Sequence, residues 1–81
     1  MTLDTLIQNA DPIIQNAASL TARAVADFKA GKISESEYAE LMKNILDFQA
    51  VVLLTDDMNR QNEIASAFYA LKDIAVALVG L

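Results

Sequence analysis

Ala30-Gly31-Lys32-Ile33-Ser34-Glu35-Ser36-Glu37-Tyr38 is the stretch that decides how this chain is built. The Ser34 hydroxyl has the spacing to accept the Glu37 amide N–H, and the Glu37 carboxylate has the spacing to accept the Ser34 N–H. This reciprocal capping box opens a helix at residue 35. Ile33 and Tyr38 flank it at the two positions that close a hydrophobic staple. Gly31 supplies the left-handed residue that ends a preceding helix near residue 30. One helix stops, the chain turns within a few residues, and another helix starts. A helical hairpin is therefore the minimum architecture.

Upstream of the turn, Asp11 suits an N-cap and Pro12 the first position of a helix. From Pro12 to Ala30 the apolar residues recur with helical period. Ile13, Ala17, Leu20, Ala24 and Phe28 form one stripe. Ile14, Ala18, Thr21 and Val25 form a second beside it, opposite Gln15, Asn16, Ser19, Arg23 and Asp27. Ala17, Ala18, Ala22, Ala24 and Ala26 suit either a close-packing seam between chains or simple helix propensity. Residues 2–10 read as a short helix with Leu3, Leu6 and Ile7 on one side.

Downstream, Leu41, Ile45, Phe48 and Val52 form a stripe edged by Tyr38 and widened by Met42, Leu46 and Leu53. The acids Glu35, Glu37 and Glu40 gather at the helix start, where the helix dipole favours them. The stretch from Thr55 to Glu63 is nearly all polar. Run through it as one helix, the first stripe would carry Asn59, Glu63 and Ser66 into the core. A turn near Thr55–Asp57, with Thr55 or Asp56 as the next cap, removes that conflict.

The expected fold is all-α: a short N-terminal helix followed by an antiparallel hairpin or three-helix bundle, with helices at about 12–30, 35–54 and 57–79. The alternative is a hairpin with one long helix over 35–79. No glycine or proline interrupts residues 33–79, and Met42, Leu46, Leu53, Ile64 and Leu71 stay in phase across the polar stretch. Either way residues 1–81 make a single small helical domain.

The 81 residues are 54% hydrophobic, with a mean hydropathy of +0.30. A chain this short buries only about 60% of its unfolded surface when it folds alone, so the apolar excess outruns one core. Histidine, cysteine and tryptophan are absent. That removes the usual nucleophile–base pairs and the imidazole and thiolate metal ligands. No catalytic, cofactor-binding or metal residues are assigned, no cofactor is expected, and the expectation is that the chain is not an enzyme. The net charge of −5 is spread along the sequence without a basic patch, so nucleic-acid binding is not expected. Met1-Thr2-Leu3-Asp4 lacks the basic start of a signal peptide. Residues 74–81 are apolar but too few to span a bilayer. A cytoplasmic or virion-associated location is expected.

In the last segment Ile64, Phe68, Leu71, Ala75 and Leu78 form one apolar face. Ala65, Tyr69, Val76 and Val79 form another, about a quarter turn away. Only Lys72 and Asp73 are charged between them. A helix apolar on most sides is covered on most sides, which points to a second chain. Tyr69, Val76 and Val79, with Val51 and Leu54 from the preceding helix, are the candidate interface residues.

The expected function is a non-enzymatic helical assembly or adaptor protein, a homo-oligomer or the partner of another protein, packing through its C-terminal helix. In length and plan the chain is similar to secretion-needle subunits and small helical virion components. Its turn, Ala30-Gly31-Lys32-Ile33-Ser34, departs from the needle family's proline-flanked turn. One alternative is a small acidic regulatory binder or inhibitor that occludes a partner's basic surface. Another is an oligomer enclosing a small ligand between subunits.

Overall fold

The structure is a computed structural model and describes residues 2–47 and 56–79. Those residues form four helices and no strand: α1 (Leu3–Ile7), α2 (Pro12–Lys29), α3 (Glu35–Ile45) and α4 (Met58–Val79). The chain is all-α, with a short N-terminal helix ahead of three longer ones.

Local chemistry explains each start and stop. Thr2 caps α1, its Oγ1 accepting from the Thr5 N–H at 3.2 Å. The Asp11 carboxylate accepts from the Ile13 N–H at 3.0 Å, and Pro12 follows at the first position of α2. At the far end of α2, Gly31 takes φ +76°. The Lys32 N–H reaches back to the Asp27 carbonyl at 2.9 Å and the Gly31 N–H to the Phe28 carbonyl at 3.1 Å. These two bonds are the Schellman closure, which satisfies carbonyls that the helix end would leave bare. The capping box is complete: Glu37 N–H to Ser34 Oγ is 3.2 Å and Ser34 N–H to Glu37 Oε1 is 3.1 Å. Ile33 and Tyr38 pack in the same cluster, as the staple requires. Ahead of α4, Asp57 Oδ1 accepts from the Asn59 and Arg60 N–H groups. This cap falls one residue after Asp56, the later of the two sequence candidates.

The helix expected over 35–54 ends at Ile45, where Leu46 leaves helical geometry at φ −102°, ψ 28°. A single helix over 35–79 is excluded by that ending. The 48–54 part of the expected helix lies outside the described residues.

α2 is the axis of the bundle. Its buried side consists of Ile14, Ala17, Ala18, Thr21, Ala24 and Val25, so the second stripe is central and Ala17 and Ala24 border it. Leu20, placed inside by the pattern, is 41% exposed. α4 lays Ile64, Ala67, Phe68, Leu71 and Ala75 against α2. Three of the five alanines of α2 are in this contact, so they bring two helices of one chain together. Thr21 is fully buried, and its hydroxyl donates to the Ala17 carbonyl at 2.8 Å.

Arg60 lies by Asp11 and Ala75 lies by Ala24 and Val25, so α4 runs parallel to α2. Tyr38 packs on the Phe28 end of α2, while Ile45 shares a groove with Ile13 and Leu20, so α3 runs antiparallel to α2. α1 folds across the N-terminal end, with Leu6 buried among Ile14 and Ile64. α3 contributes one buried residue among those described, Tyr38, whose hydroxyl donates to the Ala75 carbonyl at 3.3 Å. α4 lies on the Met42–Leu46 side of α3. This leaves Leu41, expected in the stripe, on the opposite edge and 40% exposed.

Candidate interaction surface

Several polar side chains of the described residues help to build the fold. Thr2, Asp11, Ser34, Glu37 and Asp57 hold helix ends. Among the described residues no three acidic side chains converge into a metal-binding set. No helix there is long and apolar enough to cross a membrane.

One polar contact joins distant parts of the chain. Arg60 Nε donates to Asp11 Oδ2 at 2.8 Å and Nη2 to Oδ1 at 3.0 Å. The two parallel bonds form the planar fork that arginine offers a carboxylate. This hydrogen bonding holds the Asp11 carboxyl below its ordinary value, helped by the Ile13 N–H and opposed by desolvation. The same bonds push the Arg60 guanidinium further toward its protonated form. The pair has no local signature in the sequence. Asp11 reads as a cap, and Arg60 has nearer acids at helical spacing in Asp56, Asp57 and Glu63, so nothing local singles out Asp11. The one sequence signal is that Arg60 is the sole cation between Lys43 and Lys72.

The grooves between helices are shallow. The one between α1 and α4 has a floor of Leu6, Ile14 and Ala67 and a rim carrying Asn9, Asn62 and Ser66. Another, between α2 and α3, is lined by Ile13, Leu20, Ile45 and Phe68.

The outer face of α4 stands apart from these. Tyr69 is 72% exposed and Val76 is 45% exposed. They lie seven residues apart, nearly two full turns, and so share one line along the helix. The buried residues of α4 occupy the opposite side. Lys72 and Asp73 sit between the two anchors, both exposed.

Of the five candidate interface residues, the structure brings Tyr69 and Val76 together on this face. Val79 is half-buried and packs against the cluster of Ala24, Val25, Tyr38 and Ala75. Leu78, expected on the inner face, is 42% exposed. Val79 joins the cluster that Tyr38 of α3 builds and that Met42 also packs on. Leu78 stays on the line of Leu71, seven residues earlier, but is left uncovered near the end of the helix. Val51 and Leu54 lie outside the described residues.

Comparison of the chain with protein-family models, with curated proteins and with solved structures gives no match in any of the three.

Proposed function

We propose that this chain is a non-enzymatic helical assembly or adaptor protein that associates with copies of itself through the outer face of α4. The observation that carries the reading is the pair of large side chains, Tyr69 and Val76, standing exposed on one line of a helix whose opposite side is already buried. Tyrosine is enriched at interfaces because its ring supplies apolar area and its hydroxyl tolerates a wet rim. Neighbouring Ala65 on this face lets another helix approach closely. The contact is one helix face wide, which suits a reversible association better than an obligate one.

Light scattering across a dilution series tests the reading. The parent protein is expected to shift from a larger species to the monomer as it is diluted. Val76→Glu is expected to remain helical by circular dichroism and to stay monomeric, because it charges the contact face and leaves the core untouched. A parent that is monomeric at every concentration overturns the reading. So does a Val76→Glu variant whose mass matches the parent's throughout the series.

A further inference from the structure

We infer that two copies pair through α4 in parallel, about a two-fold axis running along the helices. Tyr69 then meets the partner's Tyr69, Val76 meets the partner's Val76, and Lys72 of each copy faces the partner's Asp73. This inference rests on the self-association reading above and specifies its geometry.

The argument is one of helix angles and charge. A helix turns about 100° per residue. Tyr69 and Val76 therefore lie within about 20° of each other, and the line between them marks the centre of the exposed face. Lys72 falls about 50° to one side of that line and Asp73 about 50° to the other. The folded chain identifies the two edges. Lys72 lines a groove with Ala39, Met42, Lys43 and Leu46, so its edge is the one toward α3, and Lys43 adds a second cation on that side. Asp73 is on the opposite edge, shared with Ser66, which borders the groove to α1. The face is thus an apolar strip with a cation on one margin and an anion on the other, at almost the same height.

A two-fold axis parallel to the helices keeps every level at its own height and sets each margin against the opposite margin of the other copy. Lys72 then faces the partner's Asp73, and Asp73 the partner's Lys72. These cross-pairs are the kind that choose orientation in parallel two-helix assemblies. An antiparallel two-fold sets each margin against itself. In the register that packs Tyr69 on the partner's Val76, Lys72 comes beside the partner's Lys72 and Asp73 beside the partner's Asp73, and like charges repel. Sliding the antiparallel pair until the two tyrosines meet relieves that repulsion. It also puts Val76 opposite the partner's Asn62 and leaves both charges without an opposite across the interface. The parallel pairing alone among these satisfies both apolar anchors and both charges.

The chain has no native cysteine, so a single one can be introduced without background. Val76→Cys keeps a small apolar side chain at the anchor. Parallel pairing holds the two thiols at one level, and mild oxidation is expected to give a covalent dimer from this variant alone. Disulfides do not bridge α-carbons more than about 7 Å apart. Antiparallel pairing in the anchor register displaces the two copies of residue 76 by about 10 Å along the axis. It would instead cross-link a mixture of Tyr69→Cys and Val76→Cys. In parallel, Lys72→Asp and Asp73→Lys are each expected to weaken self-association by about tenfold, from two lost attractions and two new repulsions. The double variant Lys72→Asp/Asp73→Lys is expected to recover it. An associating parent whose Val76→Cys variant gives no covalent dimer overturns the parallel geometry while self-association stands. Charge variants that associate like the parent do the same. A parent monomeric at every concentration removes both readings together.

Discussion

Replacing Gly31 with alanine isolates the contribution of the turn that ends α2. Gly31 sits at φ +76°, and a Cβ built on it meets nothing within 4 Å. No clash enters, so the cost is conformational. Holding an L-residue in the left-handed region costs about 1–2 kcal/mol. Alanine also restricts the unfolded chain, which offsets roughly 0.4–1 kcal/mol of that. The expected net loss is about 1 kcal/mol, or a melting temperature lower by about 4–8 °C for a domain of this size. Gly31→Asn is expected to lose less, because asparagine tolerates this region better. Urea and thermal melts followed by far-UV circular dichroism measure both variants. They are run at one protein concentration, since association adds to apparent stability. The urea slope is expected to stay the same, because the surface exposed on unfolding does not change. A Gly31→Ala protein as stable as the parent, or more so, refutes the reasoning. Residue 31 would then not be left-handed in solution, and the bonds from Gly31 and Lys32 back to Phe28 and Asp27 would not be what ends the helix.

Tyr38→Phe removes the hydroxyl that donates to Ala75 but keeps the ring against Phe28, and is expected to cost about 0.5–1 kcal/mol in a urea melt. Burial pushes the Tyr38 phenol above its ordinary value near 10. The unfolded chain therefore loses this proton first, and stability is expected to fall as pH rises from about 10 upward, with a shallower fall in Tyr38→Phe. Asp11 has the opposite sign. Its folded value lies below the ordinary carboxylate value of 3.8, so its stabilisation is complete above that pH and is lost as pH falls through the lower folded value. Asp11→Asn is expected to flatten that acid limb in melts collected between pH 5 and pH 2, and an unchanged limb would show that the fork with Arg60 does not form in solution.

What was legible in the sequence was what neighbouring residues decide. Gly31, the Ser34–Glu37 box, the Ile33–Tyr38 staple and the Asp11-Pro12 start act over a few positions, and each appears where its spacing put it. Periodicity also marked α4 as apolar on more than one side. What periodicity does not carry is the direction from which a neighbouring helix arrives. Leu41 has the spacing of a core residue, yet α4 lies on the Met42 side of α3, and Val79, spaced for the outer face, packs into the cluster that Tyr38 of α3 builds. The spacing puts Thr21 on an apolar stripe, but its central position depends on α4 docking over that stripe. The Asp11–Arg60 fork joins residues 49 positions apart. Its existence depends on the register of α4 along α2, which no local pattern states.

The turn between α2 and α3 has a kinetic consequence. Its bonds all join residues within 27–38, and each reaches only a few positions along the chain. The contacts that fasten α4 reach back dozens of residues, from Arg60 to Asp11 and from Ala75 to Tyr38. Short loops close first because they surrender less chain entropy. The α2–α3 hairpin is therefore the element poised to organise early, with α4 sealing the core afterwards. In stopped-flow refolding, destabilising changes at Ser34 should slow folding, whereas Leu71→Ala should chiefly speed unfolding. The reverse pattern would mean that the α2–α4 contact is the nucleus and that the turn, for all its local bonding, is set in place after the core has formed.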